Sequence, residues 1–251
     1  MKPLNLKHGA RLALMIFVIG AVAQISVNAQ QKLALKQVKA PAQRSLTAEN
    51  ITEAEQLLSD LGYWTGPIDG KMDAATRDAL IAFQKVEGRT ANGRLTAAEL
   101  SAIRSATRPS PLETGYAHVE ADLDRQVLFV VGDNGAVSKI LPISSGNGEE
   151  FTSEGWTRRA ITPTGRFKIY RKLEGWRKAP LGPIYYPNYF LSGVAIHGSS
   201  SVPARPASHG CIRIPVFAAK EFSEMTPNGT VVIVHSASGL AQGNGARTAQ
   251  R

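Results

Sequence analysis

Hydrophobic positions change their period along this chain. Residues 12–23 are a nearly unbroken apolar run behind Lys2, Lys7 and Arg11. From Glu49 the apolar residues take helical spacing. Ala54, Leu57, Leu58 and Leu61 share one face, Thr52 with Glu55 predicts a capping box, and Gly62 predicts the stop. After the turn cluster Gly66-Pro67-Ile68-Asp69-Gly70, Asp73 is placed to cap a second helix with Thr76, Ala79, Leu80, Phe83 and Val86 on its inner face. Leu95-Thr96-Ala97-Ala98-Glu99-Leu100 predicts a third start, a hydrophobic staple around a second capping box.

Past Pro109, Pro111 and Gly115, a stiff polar stretch, the period falls to two. Val119, Ala121 and Leu123 alternate with Glu120 and Asp122, as in a half-buried strand. Residues 126–131 and 137–143 flank Asp133-Asn134-Gly135, and Asn-Gly is a strong hairpin signal. Residues 144–159 read as a long polar loop. Strands are expected at 166–172, 184–190 and 194–197, a helix at 214–225 with Pro215 in its first turn, and a closing strand at 230–235. The predicted fold class is α+β in two domains: a three-helix bundle over 49–106, a linker at 107–116, and a mainly β sandwich or barrel over 117–236. Residues 237–251, rich in Gly, Ala and Gln, are expected to be a disordered tail.

Charge changes this picture little. The formal net charge is +9, but residues 1–48 hold seven basic residues and no acid, and Arg247 and Arg251 add two. The body between is neutral, which removes the charge argument for a nucleic-acid partner. The apolar run, with Val27-Asn28-Ala29 after it, predicts a signal peptide over 1–29. An uncleaved N-terminal anchor is the alternative, although the run is shorter than the ~20 residues of a comfortable span. Residues 30–48 read as a basic linker. The chain is expected to be exported to the cell envelope, as a monomer that meets membrane only through an uncleaved leader.

Candidate chemistry gathers in residues 196–214, which hold His197, His209 and the only cysteine, Cys211. Exported proteins usually pair their cysteines or lack them, and this thiol has no partner in the chain. It sits in a Gly/Pro/Ser-rich loop and not in an apolar run. A thiol nucleophile needs a base in reach and backbone N–H donors for an oxyanion. Either histidine could be the base, and Gly198 and Gly210 would let main chain approach a substrate. No metal-ligand spacing such as His-x-x-Glu-His occurs, and no metal or organic cofactor is expected.

His197-Gly198 followed by Ser208-His209-Gly210-Cys211-Ile212-Arg213, with Thr162-Pro163-Thr164-Gly165-Arg166-Phe167 upstream, resembles the L,D-transpeptidase (YkuD-like) family of peptidoglycan cross-linking enzymes. The run Leu61-Gly62-Tyr63, Gly66 to Gly70, Asp73, Thr76 and Ala79-Leu80-x-x-Phe83-Gln84 is similar to the peptidoglycan-binding domain found beside many wall enzymes. The resemblance implies Cys211 as nucleophile, His197 as its base, the Gly198 carbonyl as orienting group and His209 as a shaper of the site. It further implies the N–H groups of Gly210 and Cys211 as oxyanion donors. Ser208 is expected to fix the turn or meet substrate. Arg213 suits a substrate carboxylate, which a guanidinium matches bidentately. Peptidoglycan stem peptides and glycan are the implied partners. The implied reaction is acyl transfer through a thioester, with release of a terminal D-alanine and formation of a 3→3 cross-link. Two alternatives stay open: hydrolytic trimming of stems by the same site, and a non-catalytic wall-binding protein. Tyr63 and Trp64 could stack on sugars or fill the core.

Overall fold

The computed structural model describes residues 46–237; the leader, nearly all of the basic linker and the tail from 238 lie outside the described residues. Three helices come first: α1 (Ala48–Asp60), α2 (Ala74–Val86) and α3 (Ala97–Ser105). The α1 cap differs from expectation. Thr47, not Thr52, accepts the Asn50 amide, and Asn50 reaches back to the Thr47 amide. Thr52 lies inside the helix with Oγ1 on the Ala48 carbonyl. Glu55 is fully buried and accepts the amides of Asp69 and Gly70 and the Thr76 hydroxyl at 2.7–3.0 Å. It therefore anchors the Gly66–Gly70 turn onto both helices. Asp73 and Thr96 cap α2 and α3 as predicted.

The β part described has two large sheets and a separate two-stranded hairpin. In the first, β1 (His118–Asp122) is flanked by β2 (Val127–Val131) and by β12 (Val231–His235), with β3 (Val137–Pro142) and β6 (Gly165–Lys168) at the edges. β1 and β12 run parallel, so the chain's last strand is central and not a closing edge. The second sheet runs β11 (Ile212–Pro215), β10 (Val194–Ser199), β9 (Gly182–Leu191), β7 (Arg171–Lys172), with β8 (Trp176–Ala179) also paired to β9. Helix α4 (Val216–Met225) follows β11 directly, Pro215 standing at its N-cap. The expected helix at 214–225 thus begins after a short strand. Residues 144–159 are not all loop: β4 (Glu150–Ser153) and β5 (Trp156–Arg159) form a hairpin turned by Glu154 and Gly155, both at positive φ.

Two apolar cores share the first sheet. Leu128 and Val130 of β2 face Ile196, Ile212, Ile214 and Phe222 between the sheets and α4. Val127, Phe129 and Val131 point the other way, onto Leu58, Leu80 and Phe83 of the helices. The bundle is therefore packed on the sheet, and helices and strands belong to one compact unit. Tyr63 fills this joint edge-on to Phe83, and Trp64 is buried under Lys139, so neither offers a face to sugar.

Residues 107–116 are pinned. Glu120 accepts the amides of Leu112 and Glu113, and His118 bonds both Glu120 and the Tyr116 carbonyl. This cover explains why all five β1 residues are buried, where the alternation predicts half.

Candidate active site

The second sheet sorts its residues by alternation. Ile196, Ile212 and Ile214 are fully buried toward the core. The parallel register pairs Ile196 with Ile212 and His197 with Arg213, so His197 and Arg213 share the opposite face. One step back, Cys211 stands beside Ala195 on that same face. His197 in β10 and Cys211, the residue just ahead of β11, are diagonal neighbours on that face.

Cys211 is half-buried, its Sγ 3.7 Å from the Gly193 carbonyl. Burial raises the thiol pKa, while a hydrogen bond from the Ala195 amide and the charge of Arg213 pull it back down. His197 is 5% exposed, with Nδ1 2.9 Å from the Gly198 carbonyl oxygen. A carbonyl only accepts, so Nδ1 carries the proton and the lone pair lies on Nε2. Burial lowers the imidazole pKa, the Gly198 hydrogen bond opposes this, and Arg213 adds to the lowering. Both shifts favour the uncharged forms, thiol and imidazole.

The turn before Cys211 is tied from within. Ser208 is buried; its Oγ accepts the Gly210 amide at 3.0 Å and donates to the Cys211 carbonyl at 2.5 Å. Ser208 is therefore a turn-former, its one hydroxyl proton spent on the Cys211 carbonyl. The Gly210 amide, expected to serve an oxyanion, is already bonded to Ser208. Thr162 braces the turn from outside: its hydroxyl donates to the Gly210 carbonyl and accepts the Gly146 amide, both at 2.8 Å.

The two glycines make room for protein, not ligand. A Cβ on Gly198 would meet the Ala219 Cβ of α4 at 2.7 Å, and one on Gly210, at φ +133°, the Ile161 carbonyl oxygen at 3.0 Å. His209 is exposed and edge-on to Phe151 of the β4–β5 hairpin, ring centroids 4.8 Å apart. Arg213 is half-exposed and in no ion pair among the described residues. Trp156 is 68% exposed at the hairpin, and Trp176 stacks on Tyr185 at 4.8 Å. Among the described residues no group of three or more His, Cys, Asp or Glu could hold a metal ion.

A buried polar chain links this turn to the helices. Lys85 of α2 donates to the carbonyls of Gln126 and Ile143 at 2.9 and 3.0 Å. The Gln126 side chain bonds the Ser145 amide and hydroxyl, and the Ser145 carbonyl accepts the amides of Ala207 and Ser208. Sequence reasoning missed Lys85, Ser145 and Phe151. The Thr-Pro-x-Gly segment could have flagged Thr162.

Comparison with known proteins agrees with this layout. Residues 116–234 match the L,D-transpeptidase catalytic domain (YkuD) family, and residues 47–103 match a peptidoglycan binding domain family. A crystal structure of the L,D-transpeptidase of Xylanimonas cellulosilytica (residues 123–326) is 39% identical, covers 77% of this chain and 96% of its own, and superposes with a TM-score of 0.72. The L,D-transpeptidase of Stackebrandtia nassauensis is 24% identical over 74% of this chain and 91% of its own, with a TM-score of 0.42. The catalytic domain of the E. faecium L,D-transpeptidase is 26% identical over 49% and 99%, with a TM-score of 0.38. No curated protein matches the chain. With the catalytic-domain match spanning both His197 and Cys211, and a relative at 39% identity covered almost end to end, the chain belongs to the L,D-transpeptidase (YkuD) family, its catalytic domain preceded by a peptidoglycan-binding module.

Proposed function

We propose that this protein is an exported, cysteine-dependent L,D-transpeptidase that joins peptidoglycan stems by 3→3 cross-links. The observation that carries the reading is the His197 Nδ1–Gly198 carbonyl bond, which fixes the tautomer with a basic Nε2 on the face that Cys211 shares. Cys211 Sγ attacks the carbonyl of the third stem residue as its proton passes to His197 Nε2. The bond to the terminal D-alanine then breaks, His197 returns the proton to the leaving amine, and a thioester remains. The side-chain amine of a second stem attacks the thioester, loses its proton to His197, and restores the thiol through that same proton. Because burial disfavours a resting ion pair, proton transfer accompanies attack.

Arg213 lowers the pKa of both Cys211 and His197. Its field therefore favours negative charge where the oxyanion develops, and with the Gly210 amide engaged it takes on that role beside the Cys211 amide. The bundle holds glycan near the site. Product analysis with soluble tetrapeptide stems tests the reading: 3→3 dimers and free D-alanine are expected, and none from Cys211→Ala. Tripeptides without dimers would replace cross-linking by hydrolysis.

A further inference from the structure

The helical bundle reaches the Cys211 loop through a buried side chain. Lys85, in the last turn of α2, is 7% exposed and donates to the Gln126 and Ile143 carbonyls at 2.9 and 3.0 Å. Gln126 stands just ahead of β2 and Ile143 just past β3. The Gln126 carbonyl also accepts the Ile143 amide at 2.9 Å, so Lys85 fastens a junction where the two strands already meet. Gln126 has a φ of +56°, a left-handed conformation that few residues other than glycine adopt. It is held from both sides, its carbonyl by Lys85 and its side chain by Ser145. Nε2 donates to the Ser145 hydroxyl at 2.8 Å, and Oε1 accepts the Ser145 amide at 2.9 Å. From Ser145 the connection to the loop is direct. The Ser145 carbonyl accepts the amides of Ala207 and Ser208, both at 2.9 Å. Ser144 exchanges two backbone bonds with Arg213 at 3.1 Å, and its hydroxyl donates to the Arg205 carbonyl at 2.8 Å. Residues 144 and 145 therefore hold the loop on both sides of Cys211.

We infer that Lys85 is a positioning residue for acyl transfer: the peptidoglycan-binding bundle sets the place of the Cys211 sulfur through Lys85, Gln126 and Ser145. This rests on the transpeptidase reading and adds to it a residue from outside the catalytic-domain match, which begins at residue 116. Removing the Lys85 amine leaves two carbonyls in the joint without that donor, and a buried acceptor that loses its partner costs the full desolvation of the group. The junction relaxes to recover partners, and residues 143–145 and the loop they hold move with it. Nucleophilic attack is sensitive to such a shift, since a displacement of about 1 Å can slow it about 10²-fold. An ammonium carries three hydrogens and a neutral amine two, so either form of Lys85 keeps both bonds. Its role is therefore geometric and does not follow its charge.

The test measures kcat and KM for D-alanine release from soluble tetrapeptide stems, which need no glycan contact, on full-length protein below its unfolding transition. Lys85→Met should lower kcat at least about tenfold and leave KM unchanged. Lys85→Arg, which can still donate to both carbonyls, should retain part of the rate. Gln126→Gly accepts the left-handed φ and keeps the carbonyl that Lys85 bonds, but cuts the link to Ser145. It should slow release to a similar extent, and the double variant should be no slower than the slower single one. Gln126→Gly carries the test alone if Lys85→Met does not fold. Glu55→Ala loosens the same bundle away from this connection and should keep the wild-type kcat. Wild-type kcat in Lys85→Met, or in Gln126→Gly where that variant stands alone, overturns the positioning role. So does a Glu55→Ala slowed as much as Lys85→Met, which would reduce the effect to a loosened fold. Wild type that releases no D-alanine overturns the transpeptidase reading, and the positioning role with it.

Discussion

The imidazole of His197 is held by the carbonyl of its own neighbour, Gly198, at 2.9 Å, and this one contact decides which ring nitrogen can take a proton. Its pH consequence follows from the two shifts. Burial pushes His197 below its ordinary 6.5 and Cys211 above its ordinary 9.0. The base form of the site therefore extends from below pH 6.5 to above pH 9. Single-turnover acylation should be flat across that interval and fall only as pH drops through the lowered histidine pKa. An acid limb centred at or above 6.5 would contradict this. His197→Gln should slow acylation by about 10²–10⁴-fold at pH 7.5.

Thr162 joins the Gly146 amide to the Gly210 carbonyl, so it fixes the turn ahead of Cys211 without facing the chemistry. Thr162→Val keeps the shape and removes both bonds. Stability should fall by about 1–3 kcal/mol, since two buried partners are left unpaired. Acylation should slow as well while KM changes little, because the defect is in the placement of the sulfur. Denaturant unfolding and stem kinetics on one preparation check both.

Lys85 is an amine buried between the bundle and the sheet, its pKa lowered to about 8 by burial, with the Asp78 carboxylate opposing. Asp78, half-buried, is itself raised to about 6. For Lys85 the folded pKa lies below the unfolded value, so between pH 8 and 10.5 the unfolded chain binds more protons. Its contribution therefore makes stability rise with pH across that window, by about 3 kcal/mol in all. Urea unfolding at pH 7.5, 9 and 10.5 should show the rise, and Lys85→Met should lack it. Equal slopes in the two proteins would refute the assignment.

Glu55 holds the Gly66–Gly70 turn through three hydrogen bonds. Glu55→Ala orphans those donors and leaves a cavity, and should cost about 2–4 kcal/mol. Thermal unfolding of the full chain measures it.

The legible parts were those in which neighbours in sequence carry the message. Asp73 and Thr96 announce their helices, Asn134-Gly135 its hairpin, and the motif around Cys211 the family. What stayed hidden depends on contacts distant in the chain. Glu120 looks like the polar side of an exposed strand until residues 112–116 fold over it. Glu55 passes for a cap residue because Thr52 precedes it, yet its partners lie fourteen to twenty-one positions away. Gly198 suggests room for a ligand, whereas Ala219 of a later helix occupies that side. The β4–β5 hairpin turns on Glu154-Gly155, a weaker cue than Asn-Gly. Tyr189 comes near Cys211 only through strand register, which no local pattern encodes.

Whether the Cys211 sulfur is the atom that becomes acylated is answered most directly by intact-protein mass spectrometry after incubation with a carbapenem, an acyl donor that β-lactam-sensitive members of the resembled family accept. Wild type should gain the mass of one drug molecule, and Cys211→Ala should gain none. An adduct of equal size on Cys211→Ala, or an unmodified wild type, would contradict the account.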